Sequence, residues 1–75
     1  MKELVEFIAK AIVNAPEQVE VTEEQTEQGI VLKLKVADDD KGRVIGKQGR
    51  IAEAMRTLIR VKAAKTGTRA TLEIV

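Results

Sequence analysis

Two kinds of hydrophobic periodicity divide the chain into segments. Between Lys2 and Asn14 the apolar residues recur three and four positions apart, which predicts an amphipathic helix. These residues are Leu4, Val5, Phe7, Ile8, Ala11 and Ile12. The helix should end before Pro16, because proline disfavours helical geometry in the preceding residue and has no amide hydrogen. The stripe of Leu4, Phe7, Ile8 and Ile12 is expected in the core, with any surplus available for a dimer contact.

Two segments with a period of two follow this helix. Residues 18–25 place Val19 and Val21 on one side, and residues 30–36 place four aliphatic side chains on one side. Those four are Ile30, Leu32, Leu34 and Val36. Residues 25–29 form the expected turn, so the two strands should pair as an antiparallel hairpin.

Two further helices and a last strand complete the pattern. Asp38, Asp39 and Asp40 can accept hydrogen bonds from free amides at a helix start, which favours a helix cap over a metal site and predicts a short helix over residues 39–45. A longer helix is expected over residues 50–65, with Gly67 as its left-handed cap, and a strand over residues 69–74. The stripe of the long helix is formed by Ile51, Met55, Leu58 and Lys62, with Ala52, Ala54, Ile59 and Ala63 alongside.

The order of these elements is αββααβ. Because two helices separate the second and third strands, a crossover connection allows those strands to pair in parallel. We therefore predict one two-layer α+β domain over residues 1–75, with a mixed three-stranded sheet covered by three helices on one face.

The composition removes most enzyme chemistry. The 75 residues include no Cys, His, Ser, Trp or Tyr, so common nucleophiles, imidazole bases and soft metal ligands are absent. We expect no enzymatic activity, metal or cofactor. The lack of cysteine and an N-terminus interrupted by Glu3 and Glu6 favour a cytoplasmic protein with no membrane segment. A core this small makes self-association or a protein partner plausible.

The overall charge of +1 conceals a strong asymmetry. Residues 1–40 carry a net charge of −6, whereas residues 41–69 hold nine basic residues against Glu53 alone, a net charge of +8. Such a basic segment is typical of polyanion binding, although a solvated helix face would give the same pattern.

The most informative motif, VIGKQGRI at residues 44–51, lies inside this basic segment. Two glycines three positions apart allow a tight loop whose amides can approach a phosphate without an obstructing Cβ. Lys47 adds charge, and the positive end of the following helix lies nearby. Ile45 and Ile51 flank the loop with aliphatic surface, and a single aromatic residue, Phe7, argues against recognition by stacking on several aromatic rings.

The same residues resemble the signature of the KH domains, V-I-G-x-x-G-x-x-I. Val44, Ile45, Gly46 and Gly49 match it, and the last position departs because Ala52 stands where the pattern has isoleucine. The αββααβ order is similar to the type II, prokaryotic arrangement. The whole chain resembles the small bacterial proteins that consist of one KH domain.

The resemblance implies binding of single-stranded RNA over about four nucleotides, with the GxxG loop clamping the backbone. It implies a loop of Gly46, Lys47, Gln48 and Gly49, a groove lined or supported by Ile45 and by Ile51 or Ala52, and phosphate contacts from Arg43 and Arg50. It also implies an RNA chaperone or post-transcriptional regulator that works as a homodimer, or as a heterodimer with a larger Jag-type KH protein, in control of cell shape and division.

Two alternatives stay open. The second hypothesis, after RNA binding, is a protein-interaction module in which the fold serves mainly as a dimerisation surface and RNA binding is incidental. On the long helix, Arg56, Arg60 and Lys62 either extend the RNA path or only solvate the exposed face.

Overall fold

The sheet has three strands, and the central one pairs in opposite senses with its two neighbours. A computed structural model describes residues 1–75. Strand β2 (Gly29–Lys35) lies between β1 (Glu20–Thr26), which is antiparallel to it, and β3 (Ala70–Ile74), which is parallel to it. The helices are α1 (Lys2–Ile12), α2 (Lys41–Ile45) and α3 (Arg50–Lys65), with short 3₁₀ turns at Pro16–Gln18, Asp38–Asp40 and Lys47–Gly49. The predicted order and the mixed α+β sheet are confirmed.

The hydrophobic core lies between the sheet and the helices. Leu32 and Leu34 on β2 are fully buried, whereas Lys35 and the outward residues of β3, Thr71 and Glu73, are exposed. This alternation is the expected consequence of a sheet with one covered face and one solvated face. The helices contribute the buried residues Val5, Ala9, Val44, Ala52, Met55, Ile59 and Ala63.

The end of α3 follows the predicted cap. The Thr68 amide donates to the Ala63 carbonyl at 2.9 Å and the Gly67 amide donates to the Ala64 carbonyl at 3.2 Å, with Gly67 at φ 72°. This pair of bonds is the Schellman arrangement, in which a left-handed residue ends the helix and satisfies its last carbonyls.

Two parts of the predicted core are wrong. Phe7 is 74% exposed and Leu58 is 48% exposed, whereas α3 packs Met55, Ile59 and Ala63 into the core cluster that includes the sheet residues. Leu4, Ile8 and Ile12 are half-buried at the edge of the core. The physical reason is that the apolar arcs of both helices are wider than the strip that a three-stranded sheet can cover, and only the side chains aimed at the sheet are buried.

The acidic run before α2 also departs from its prediction. Asp38 and Asp39 are exposed, and no side-chain hydrogen bond caps α2. Asp40 instead is 1% exposed, and its carboxylate accepts from the backbone amides of Asn14 and Ala15, each at 3.0 Å. Those amides have left α1 and precede Pro16, so the carboxylate supplies acceptors at the point where the helix has ended.

Arg43, three residues after Asp40 in the sequence, also contacts the Asp40 carboxylate. Its Nε lies 3.4 Å from Asp40 Oδ1, and the side-chain oxygen of Asn14, in the orientation that its surroundings favour, accepts from the guanidinium at 3.0 and 3.3 Å. Asp40 therefore joins the α1–β1 connection to the start of α2 through charge-assisted hydrogen bonds.

Replacing Asp40 with alanine should lower the free energy of unfolding by about 2–5 kcal/mol, because two amides and a guanidinium lose their shared acceptor. Asparagine should also lower it, because an NH2 donor replaces one of the two acceptor oxygens and the negative charge facing Arg43 is lost. Urea unfolding followed by circular dichroism measures this change. The matched control is Asp39→Asn, an exposed neighbour whose loss should change stability by no more than about 0.5 kcal/mol. An Asp40→Asn variant as stable as the wild type would contradict the structural role given to the carboxylate.

Candidate nucleic-acid interface

The GxxG loop (residues 46–49) joins α2 to α3 through backbone conformations that L-residues rarely adopt. Gly46 has φ 77° and ψ 171°, Gln48 has φ 59° and ψ 26°, and Gly49 has φ 73° and ψ 13°. The Gly46 amide donates to the Gly42 carbonyl at 2.9 Å, and the Gly49 amide donates to the Gly46 carbonyl at 3.1 Å. The loop is therefore a tight turn fixed by its own hydrogen bonds.

The two glycines are required for different reasons. Gly46 occupies a region of φ and ψ that is essentially restricted to glycine. A Cβ at this position would also lie 2.6 Å from Cγ1 of Ile51, whereas a Cβ at Gly49 would meet no atom within 4 Å. Gly46 thus allows the chain to pass directly over Ile51, and Gly49 only supplies a left-handed residue before α3.

The structure brings three of the predicted polar site residues together at the loop. Lys47, Gln48 and Arg50 are all exposed, and Arg50 Nη2 donates to Gln48 Oε1 at 3.2 Å. Two positive charges and an amide therefore lie beside the first turn of α3, where free backbone amides already favour an anion.

Of the three predicted apolar residues, one lies at the surface and two are partly or fully buried. Ile45 is 41% exposed at the end of α2 and offers an aliphatic surface beside the loop. Ile51 is half-buried, packs against the core and lies under Gly46. Ala52, the residue that departs from the KH signature, is buried and therefore offers no surface to a ligand.

Arg43 is the predicted site residue that the structure places apart from this cluster. Its guanidinium is held by Asp40 and by Asn14, although its side chain remains about half exposed (53%). This contact gives Arg43 a structural role, and a role in ligand binding stays a prediction.

A cleft that sequence reasoning did not identify lies between α3 and β3. It has a volume of about 180 Å³ and is lined by Arg56, Arg60, Ala70, Thr71 and Leu72. An adjoining depression of about 360 Å³ continues past Ala63 and Ala64 to the segment 68–71. The only available sequence signal was the crossover topology, which places α3 next to β3 but does not say that a cleft opens between them.

The free edge of β3 forms one wall of this cleft. The Arg69 carbonyl accepts from the Ile30 amide at 2.8 Å, and the Val75 amide donates to the Leu34 carbonyl at 2.9 Å. In a parallel ladder, alternate residues bond to the same neighbour, so Arg69, Thr71, Glu73 and Val75 face β2. The N–H and C=O groups of Ala70, Leu72 and Ile74 therefore point outward at the edge of the sheet.

No group of three or more acidic side chains has the arrangement of a metal site, and this includes the run at residues 38–40. None of the helices combines the length and the apolar character needed to cross a bilayer.

Comparison with known proteins assigns the family. A family model described as the KH domain of KhpA and KhpB matches residues 2–74. The chain belongs to this KH-domain family. It is 53% identical over 75 residues to the RNA-binding protein KhpA of Clostridium acetobutylicum and 52% identical to that of Clostridium perfringens, with both chains covered completely in each case. The KhpA protein of Treponema pallidum is 47% identical over 74 residues, which are 99% of this chain and 92% of the relative. No solved structure gave a significant match.

Alanine substitutions should separate the roles of the two loop glycines of this KH domain. Gly49→Ala should cost about 1–2 kcal/mol of stability through its positive φ alone. Gly46→Ala should cost clearly more, because the contact with Ile51 adds an overpacking penalty of about 1–3 kcal/mol. Urea unfolding of both variants measures the difference, and equal losses would contradict the close approach of Gly46 to Ile51.

Proposed function

We propose that this KH domain binds single-stranded RNA, with the phosphate backbone held at the GxxG loop and the bases in the α3–β3 cleft. The observation that carries the proposal is the left-handed GxxG loop at the start of α3, next to Lys47 and Arg50. The relatives named as RNA-binding proteins support the class of ligand.

The loop limits how a phosphate can be held. The amides of Gly46, Gly49 and Arg50 donate within the chain, so a phosphate would be bound by the amides and side chains of Lys47 and Gln48. Arg50, positioned by its bond to Gln48, adds a charge-assisted donor at the same point. This arrangement recognises a backbone and carries no base specificity.

The α3–β3 cleft can supply the contacts to the bases that the loop does not make. Arg56 lies six residues beyond Arg50 on α3, which is about 9 Å along the helix axis. A strand that leaves the loop along α3 would bring its bases to the outward N–H and C=O groups of Ala70 and Leu72. Those groups can pair with base edges, and the planar guanidinium groups of Arg56 and Arg60 can stack on bases or contact phosphates.

Several finer properties belong to the same proposal. We propose that Arg43 contributes less to phosphate binding than Lys47 and Arg50, because its guanidinium already pairs with Asp40. We propose a non-enzymatic RNA chaperone or post-transcriptional regulator that acts in the cytoplasm, where its RNA ligands occur.

A second role, self-association, is supported by the exposed apolar residues of the helical layer. Phe7 is 74% exposed, Leu58 is 48% exposed and Val61 is 53% exposed. The pKa of Glu3 is lowered, first by a backbone hydrogen bond of its own residue, then by the N-terminal ammonium group, and last by the charge of Lys62.

We propose that a second copy of this chain covers this apolar surface. A two-fold arrangement that lays α1 of one copy on α3 of the other would bury Phe7 against Val61 and place Glu3 near Lys62 of the partner. Opposite charges would then meet at the rim of an apolar contact, as in stable symmetric interfaces. The larger Jag-type KH protein implied by the resemblance is proposed to use the same surface in a heterodimer.

The RNA proposal is tested by the double variant Lys47→Asp, Gln48→Asp. It should fold, because aspartate is tolerated in left-handed positions and is favourable near a helix N-terminus. It should lose binding of a fluorescein-labelled pool of single-stranded RNA measured by anisotropy, since two carboxylates would occupy the phosphate position.

The control is Lys2→Asp, Gln28→Asp, which changes the net charge equally at exposed positions away from the loop and should retain binding.

For two to four phosphates held by the wild type, the slope of log K against log salt should be about −1.5 to −3. Binding that survives in the folded loop variant, or a slope near zero, would reject the phosphate clamp.

Val61→Glu should shift the protein from dimer to monomer in sedimentation equilibrium, because a charge would be placed inside the apolar contact. Folding should be unaffected, since Val61 is an exposed residue of α3. Thr22→Glu, opposite Lys33 on the uncovered sheet face, adds the same charge and should leave the mass unchanged. A wild type that stays monomeric, or a Val61→Glu variant that stays dimeric, would contradict this interface.

A further inference from the structure

Glu53 is the one acidic residue in the basic segment 41–69, and it lies in the first turn of α3. Its Oε2 is 3.7 Å from Nη1 of Arg56, and its Oε1 is 3.9 Å from Nη1 of Arg60. One carboxylate therefore pairs with both arginines that line the α3–β3 cleft.

These ion pairs are weak enough to be exchanged. The Glu53 side chain is 61% exposed, as Arg60 is at 63%, and Arg56 is 36% exposed. Exposed pairs at such distances contribute little free energy because water screens them. A phosphate has more acceptor oxygens than one carboxylate and forms bidentate contacts with guanidinium groups, so it can displace Glu53 from both arginines.

We infer that Glu53 is a positioning residue that occupies Arg56 and Arg60 in the free protein and must be displaced when a strand enters the cleft. This inference rests on the proposed function and deepens it. The carboxylate holds the two guanidinium groups together at the cleft and lowers the affinity of the cleft for any polyanion. For a strand that is already bound at the GxxG loop, the contacts at the loop offset the free energy needed to displace Glu53. A polyanion that touches only the cleft makes no such contacts and should bind more weakly.

The test is the affinity of a fluorescein-labelled pool of single-stranded RNA for wild type and Glu53→Gln at 0.15 M salt. Glutamine keeps the size of the side chain and removes its charge. The variant should bind about two- to tenfold more tightly, since two weak ion pairs no longer compete with the phosphates. The matched control is Glu27→Gln in the β1–β2 turn, which changes the net charge equally and should alter the affinity by less than about twofold because of screening.

A second comparison separates positioning from a structural effect. In a background of Arg56→Gln, Arg60→Gln, the additional Glu53→Gln change should no longer tighten binding, because its two partners are absent. Damage to α3 would instead weaken binding in both backgrounds and lower the melting temperature seen by circular dichroism. The direction of the change and its dependence on the arginines are readouts that a structural role would not produce.

The outcomes also distinguish this inference from the proposed function. If Glu53→Gln binds equally or more weakly while Lys47→Asp, Gln48→Asp abolishes binding, the role of Glu53 is overturned and the RNA clamp stands. Tightening that persists without the two arginines would likewise overturn it. If the wild type shows no binding that depends on the loop, the proposed function and this inference are both rejected.

Discussion

The Asp40 carboxylate links two parts of the chain that are far apart in the sequence, the end of α1 and the start of α2. It accepts from two amides beyond α1 and pairs with Arg43 on α2, so the end of the first helix and the start of the second are held by one side chain. The helix α2 is only five residues long and buries one side chain, Val44, so the Asp40–Arg43 pair adds a second contact that holds it. The GxxG loop follows directly, and its position therefore depends on this contact.

The loop and the cleft are two products of the same crossover. The chain leaves β2, passes through α2, the loop and α3, and returns to the sheet in parallel as β3. This path carries the basic segment across one side of the domain and leaves β3 at an edge with unpaired backbone groups. The acidic strand β1, with Glu20, Glu23 and Glu24, forms the other edge of the sheet. Charge separation in the sequence thus becomes charge separation in space, which is the property a polyanion recognises.

The helical layer leaves several apolar side chains exposed, as expected for a chain of only 75 residues. Three strands cover only a narrow strip, so apolar side chains that would be core residues in a larger protein remain at the surface. Phe7 and Val61 are such residues. An apolar surface of this kind suits a symmetric contact between two copies. In such a dimer, one side of α3 would contact the second copy and another side would form the wall of the cleft.

The sequence by itself determined the elements, their order, the mixed sheet and the GxxG motif, because periodicity, proline and glycine act through local geometry. It also indicated that Gly67 ends α3. Tertiary structure alone decided that Asp40 binds amides 25 and 26 residues away, that Arg43 pairs with it, and that Phe7 and Leu58 remain exposed. It also created the α3–β3 cleft, which is lined by the two arginines that pair with Glu53 along α3. The reason is that periodicity shows which side chains share a face, whereas burial and pairing depend on how much of that face a neighbouring element covers.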